Sequence, residues 1–391
     1  MDDLPSGDAP DIPALMRAAV LPAPGQPLQL EVMATPRPQH GEVLVQVAGC
    51  GVCHTDLHVM RGEVGFVTPC VLGHEISGTV VEVGDGVRPE SGLTPGARVV
   101  GGFIMPCGEC PACAEGRDDL CRPFFALNRL RGVLYDGSSR LQRSNGESLA
   151  MYSMGGLAEY AVVPATGLAL LPPELPLVES AVLGCAALTA YGAVRRAADL
   201  RVGETVAVIA MGGVGSNVVQ MARALGASRV IAVDVDAATL ATARNLGATD
   251  LVNATNLDPV AAVRDLTGGR GVDVAFEALG TPATFRQGTQ ILCDGGRLVA
   301  IGIAAADAAA HVEITPLVRR SQRIIGSYGA RTRTDLPAVG AMAAAGRVRP
   351  AATVSRTFTL DDADAAYDAL ARGDIVGRAV VRMSPPPSEA T

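Results

Sequence analysis

The chain contains no tryptophan and no lysine, and all 32 of its basic residues are arginine. Without lysine there is no Schiff-base amine, no pyridoxal phosphate anchor, no phosphate-loop lysine and no lysine-assisted tyrosine. Charged residues make up only 18%, below the roughly 25% of an average soluble protein. With 48% hydrophobic residues, a large core is easily built and global disorder is excluded. The net charge of -8 argues against a surface for nucleic acid or anionic membrane, since both require a basic face. A small-molecule partner is expected. No apolar run reaches the length of a membrane span, and the N-terminus (MDDLPSGDAPDIPAL) is acidic and proline-rich, unlike a secretory signal. These features predict a cytoplasmic protein with a disordered leader over residues 1–16.

At about 150 residues per domain, 391 residues imply two or three domains. From Met16 to about Gly102, short β-rich runs (GEVLVQVAGCGV, ISGTVVEVGDGV, ARVVGGF) alternate with Gly and Pro turns, as in a small barrel. The polar text from Tyr135 to Glu147 reads as a long surface loop. After Ala187 the rhythm becomes strand, helix, strand (ETVAVIA, GSNVVQMARALGA, SRVIAVDVD), the pattern of a doubly wound parallel sheet. VDVAFEALG, GRLVAIGI and RIIGSYG supply further strands. A helix at LDDADAAYDALARG follows, and the last strand (GRAVVRM) is expected to rejoin the first unit.

The nine cysteines are an odd number in a chain read as intracellular, which favours metal binding over disulfides. Cys107, Cys110, Cys113 and Cys121 form C-x2-C-x2-C-x7-C. Four thiolates close a tetrahedron around zinc and leave no open position, the structural type of site. An iron-sulfur cluster also takes four thiolates, but its usual run ends in CP, whereas Arg122 separates Cys121 from Pro123 here. A second group is dispersed: Cys53 in GVCHTDLH, His74 and Glu75 in GHE, and Cys185 in ESAVLGC. Singly, each reads better as a core residue than as a ligand. Together, two Cys and one His are the ligand set of an open catalytic zinc.

The strand AVIA runs into MGGVGSNVV, with Ala210 where a dinucleotide-binding turn usually has its first glycine. Gly212 permits close approach of a pyrophosphate, Gly215 permits tight helix-strand packing, and the helix N-terminus attracts negative charge. Asp234 follows Gly215 by 19 residues, where a carboxylate accepts from the adenosine ribose and repels a 2'-phosphate, so NAD is expected over NADP.

With GVCHTDLH, GHE, the four-cysteine lobe, the GC element at Cys185, GGVG and the late GR in this order, the sequence resembles the zinc-dependent alcohol dehydrogenases of the medium-chain dehydrogenase/reductase superfamily from Arg17 to Met383. The resemblance implies a GroES-like β-barrel catalytic domain (17–186 and 328–391) with an inserted Rossmann domain (187–327), an α/β fold. It implies a catalytic zinc on Cys53, His74 and Cys185, with Glu75 as a transient ligand, and a structural zinc on the four-cysteine lobe. Asp56 would orient His74, Thr55 would meet the substrate oxygen and His58 would end a proton relay. His54, Thr189, Gly212, Gly213, Val214, Gly215, Asp234 and Arg378 would contact NAD, and Phe103 and Met151 would line the substrate channel. The excursion over residues 122–160 is long, as in the dimeric members, so a homodimer is expected, a tetramer being the alternative.

The reaction so implied is reversible hydride transfer between an alcohol and its aldehyde or ketone, assisted by zinc as a Lewis acid. Two other readings compete with it. One is a related reductase of C=C or C=N bonds, a departure usually accompanied by loss of relay or zinc residues, whereas Thr55, His58 and Glu75 are present. The other is a non-catalytic NAD-sensing protein that kept the fold.

Overall fold

Val, Leu and small residues from Glu42 to Val52 form an eleven-residue strand that is buried along nearly its whole length. It is covered on both faces, so its text runs apolar where a half-exposed strand would alternate. In a computed structural model that describes residues 12–304 and 308–383, this strand is the centre of the first of three sheets among the described residues. It pairs with Ile76–Val83, Tyr160–Pro164 and Arg378–Arg382. The C-terminal strand thus lies against the N-terminal barrel, as the sequence suggested. Leu168–Leu170, Arg98–Gly101 and Val354–Thr359 complete this sheet. A second sheet is ordered Gln29–Ala34, Leu15–Leu21, Cys70–Val71, Ser148–Met151, Leu141–Gln142.

The third sheet is parallel and is built from residues 205–326. Its order is Asp250–Asn253, Arg229–Asp234, Thr205–Ile209, Val272–Glu277, Leu292–Ala300, Arg323–Gly326. Numbered along the chain, that order is 3-2-1-4-5-6, the doubly wound arrangement, whose ligand crevice opens where the order reverses. Here the reversal falls between Thr205–Ile209 and Val272–Glu277. The short edge strand Asp250–Asn253 has no distinct signal in the sequence, because four residues are too few to display a period.

Two expectations need correction. The leader was expected to run to residue 16, yet the first strand begins at Leu15 and Met16 is buried, because their backbones pair with Ala34 and Met33. Residues 1–11 of the expected leader lie outside the described residues. The polar text at Tyr135–Glu147 is also not simply a surface loop. Arg140 is buried within it and grips Glu42 of the barrel with two bonds of 2.8 and 2.6 Å, while Asp136 accepts a third at 3.0 Å. A matched fork of guanidinium and carboxylate lets a charged loop bury its centre. No helix among the described residues is long and apolar enough to cross a membrane.

The side chains of Arg140 and Glu42 are 5% and 8% exposed, so removing one strands the other's charge. Arg140→Ala is expected to cost about 3–5 kcal/mol of stability, read from urea unfolding. A loss of under about 1 kcal/mol, the level of an exposed pair, would show that the excursion is held by other contacts.

Candidate active site

Four dispersed side chains meet where the barrel strands end. Cys53 ends the central strand and caps the helix His54–Met60, His74 and Glu75 lie just before Ile76–Val83, and Cys185 starts the helix Ala186–Tyr191. One ligand atom from each lies within 4.8 Å of every other, and all four residues are buried. Two thiols, an imidazole and a carboxylate this close suit a borderline-soft ion such as zinc. Hydrogen bonding with Cys185 draws the Cys53 thiol well below its ordinary pKa and holds that of Cys185 well above.

Behind this group, Asp56 Oδ1 accepts from His74 Nδ1 at 3.1 Å and from the Gly73 N–H at 3.3 Å. Asp56 Oδ2 accepts from the Tyr367 hydroxyl at 3.1 Å. With Nδ1 so occupied, Nε2 is the nitrogen free to serve as a ligand. Glu75 is fully buried, and burial pushes its carboxyl up to about 7 against the pull of Arg378, whose Nη2 is 3.1 Å from Oε1.

Cys107, Cys110, Cys113 and Cys121 form a second such group. The Cys107 N–H donates to Cys121 Sγ at 3.2 Å and the Cys110 N–H to Cys107 Sγ at 3.3 Å, which stabilises thiolates. Arg333 clamps the lobe to the helix Thr332–Ala344 through Asp118, with bonds of 3.0 and 2.7 Å.

At the crevice of the parallel sheet, a Cβ on Gly215 would lie 1.9 Å from the Ala210 carbonyl, so only glycine lets helix and strand approach there. A Cβ on Gly213 would strike Arg378 Nε at 2.3 Å. That Nε is buried without a hydrogen-bond partner. An unpaired cationic donor at a helix N-terminus, beside an exposed Gly212 with open space before it, fits the pyrophosphate of a dinucleotide. Asp234 lies at the crevice but is partly engaged. It accepts from the N–H groups of Met211 at 2.6 Å and Val235 at 2.7 Å.

The remaining expected residues divide. His54 follows Cys53, and desolvation of its ring lowers its pKa, opposed by Cys53 and aided by Arg378. Thr55 Oγ1 is 3.6 Å from Cys53 Sγ. Thr189 is buried one turn after Cys185, whose carbonyl its N–H meets at 2.7 Å, and Val214 is partly exposed next to Gly213. His58 is half-exposed, and its Nδ1 pairs with Glu63. Phe103 packs edge-on against His74 at 6.1 Å. Met151 is fully buried and its sulfur accepts from the Arg140 N–H. Tyr152, just after the strand, packs edge-on against His74 at 5.9 Å. Tyr367, Glu63 and Tyr152 escaped sequence reading. Tyr367 had one visible signal, a polar-tipped aromatic on the buried face of a short helix.

The chain matches the alcohol dehydrogenase GroES-like domain family over residues 39–173 and the zinc-binding dehydrogenase family over residues 213–345. It is 36% identical over 362 residues to an S-(hydroxymethyl)glutathione dehydrogenase of Synechocystis, covering 91% of this chain and 97% of that one. A benzyl alcohol dehydrogenase of Acinetobacter calcoaceticus superposes with TM-score 0.88 at 27% identity, covering 95% of this chain and 99% of that one. A chain from Sinorhizobium meliloti 1021 solved bound to NADP superposes with TM-score 0.81 at 29% identity, covering 95% and 100%. The chain belongs to the zinc-dependent alcohol dehydrogenases of the medium-chain dehydrogenase/reductase superfamily. It is an oxidoreductase acting on alcohols, with zinc and a nicotinamide cofactor.

Ala210 has a left-handed φ of +72°, a conformation that costs an L-residue about 1–2 kcal/mol and glycine little. Ala210→Gly is therefore expected to stabilise the protein by about 1 kcal/mol, measured as a rise in the urea midpoint at unchanged m-value. A fall in the midpoint would mean that the methyl group's packing outweighs the strain.

Proposed function

We propose that the protein is an NAD-dependent dehydrogenase that interconverts an alcohol and its aldehyde or ketone, with two zinc ions per chain. The observation that carries this reading is the buried set of two thiols, one imidazole and one carboxylate within 4.8 Å. In this reading Cys53, His74 and Cys185 hold the catalytic ion with Glu75 as an alternate ligand, and Cys107, Cys110, Cys113 and Cys121 hold the structural one. The bound groups supply Lewis-acid polarisation of the alcohol oxygen and a hydride acceptor.

The chain's own residues do the rest. Asp56, held by Tyr367, fixes the ring of His74. Thr55 Oγ1 takes the alcohol proton and passes it outward, and His58, paired with Glu63, releases it to solvent. Phe103 keeps bulk water from the reacting carbon. Gly212, Gly213, Gly215 and Arg378 seat the pyrophosphate, His54 adds a donor on the same side, Asp234 takes the ribose, and Thr189 and Val214 flank the nicotinamide.

We divide the chain into a catalytic part, residues 17–186 and 328–391, and a coenzyme domain, residues 187–327. The first strand of the catalytic part begins two residues earlier, at Leu15. A homodimer is supported by the edge strand Arg323–Gly326, whose Ile324 is exposed along with nearby Ile303, Ile314 and Val318. Nine cysteines without a disulfide among them suit the reducing cytoplasm.

Elemental analysis is expected to find two zinc ions in the wild type, and one in a folded, inactive Cys185→Ala. Full alcohol oxidation by a protein holding one ion or none would refute the assignment. Cofactor choice supplies a second test. Asp234 stands at the crevice, Asp236 is committed to capping the next helix through Thr239, and Arg244 is turned to the Thr249 carbonyl, so no nearby cation faces a 2'-phosphate. At least about a tenfold preference for NAD in kcat/KM is expected. Equal efficiency with NADP would overturn it.

A further inference from the structure

Two rings stand against His74, and they are held differently. Tyr152, at 5.9 Å, is fully buried, and the guanidinium of Arg129 lies over it with Cζ 4.1 Å from the ring centroid. Phe103, at 6.1 Å, is backed by Tyr328, which packs edge-on to it at 5.6 Å. Tyr328 is 36% exposed and lies between Gly326 and Gly329, just past the edge strand Arg323–Gly326. A short run with glycines on both sides has little stiffness of its own. A Cβ on Gly329 would strike Phe103 Cζ at 2.7 Å, so the contact with Phe103 needs this run to be seated closely. The seat is the first turn of the helix Thr332–Ala344.

That turn is tied at three points. Thr332 is buried and its Oγ1 donates at 2.7 Å to the carbonyl of Ile104, the neighbour of Phe103. Asp335, fully buried, accepts from the Arg331 N–H at 3.0 Å and from Arg196 Nη2 at 2.7 Å, and Arg196 lies on the helical run that begins after Cys185. The third tie comes from the four-cysteine lobe. Asp118, between Cys113 and Cys121, is buried, and its side chain bonds to a single residue 215 positions later: Oδ2 accepts from the Arg333 N–H at 2.9 Å, and Oδ1 accepts from Arg333 Nε at 3.0 Å and Nη2 at 2.7 Å. Arg333 Nη2 also donates to the Cys113 carbonyl. Burying a carboxylate is costly unless it is paired. Here the fork of a guanidinium and the N-terminal end of a helix both meet it.

We infer that Asp118 is a positioning residue for substrate choice. Through Arg333 it seats the start of the helix, the helix start holds Tyr328 against Phe103, and this pair of rings limits the width of the alcohol that reaches the metal group. The inference rests on the dehydrogenase reading above. It gives the four-cysteine lobe a part in specificity beyond that of a metal-bound staple, exerted through one ion pair.

The test measures, for the zinc-loaded enzyme with NAD, the ratio of kcat/KM for a narrow alcohol to that for a wide one: benzyl alcohol against para-tert-butylbenzyl alcohol or, if benzyl alcohol is not oxidised, ethanol against neopentyl alcohol. Tyr328→Ala is expected to lower this ratio by about tenfold or more, the scale on which an apolar pocket discriminates. Asp118→Asn and Arg333→Gln should each lower it by about threefold or more while two zinc ions are retained. In the double variant Asp118→Asn/Tyr328→Ala the ratio should fall no further than in Tyr328→Ala alone, because both changes remove the same wall. A purely structural role for Asp118 would lower the urea midpoint and leave the ratio unmoved. That outcome, an unmoved ratio in Tyr328→Ala, or single effects that multiply in the double variant overturns the proposal and leaves the dehydrogenase reading standing. Should Asp118→Asn lose the zinc of the lobe, Arg333→Gln and its double variant with Tyr328→Ala decide by the same criteria. A wild type that oxidises neither these alcohols nor a panel of simple primary and secondary alcohols overturns both.

Discussion

Asp56 is buried at 0% exposure and its two oxygens are divided between distant parts of the chain. One holds His74 and the Gly73 N–H, the other the hydroxyl of Tyr367 near the C-terminus. A charge in this position has no water to fall back on, so each of these groups must be present for it to be stable. The geometry of the metal pocket depends on this arrangement, because the ring of His74 can turn only as far as the carboxylate behind it allows. The C-terminal helix Ala363–Ala371 is thereby part of the active site without any of its side chains reaching a ligand position.

Arg378 plays the corresponding part between the two chemistries. It leaves the last strand with Nη2 at 3.1 Å from Glu75, Nη1 at 3.3 Å from the Val52 carbonyl, and its stem against Gly213 at the start of the coenzyme helix. A single side chain therefore touches the carboxylate of the metal pocket and the turn that seats the pyrophosphate. Burial raises the Glu75 carboxyl to about 7, and the charge of Arg378 opposes that rise.

Much of this was readable in the residues. The four-cysteine lobe is compact enough for its spacing alone to assign a metal, and ETVAVIA followed by GGVG and an amphipathic helix reads as a coenzyme-binding turn. Long apolar strands such as Glu42–Val52 were legible because burial on both faces leaves no ambiguity of period. Other features had no local signature. The burial of Arg140 depends on Glu42, 98 residues earlier, and the edge strand Asp250–Asn253 is defined only by its neighbour. Tyr152 was overlooked because its approach to His74 depends on the packing of segments far apart in the chain.

Sequence by itself determined the chemistry available: thiols and a histidine for metal, glycines at a strand-helix junction for a dinucleotide, and only arginine where a cation is needed. These follow from residue identity and short spacing, which folding does not alter. Tertiary structure alone decided which of these groups share a site. Cys53, His74 and Cys185 span more than a hundred residues, and their meeting, like the approach of Tyr367 to Asp56 and of Arg129 to Tyr152, arises from strand order and helix packing. Such contacts are paid for by the apolar core as a whole, so no local stretch of sequence carries a record of them.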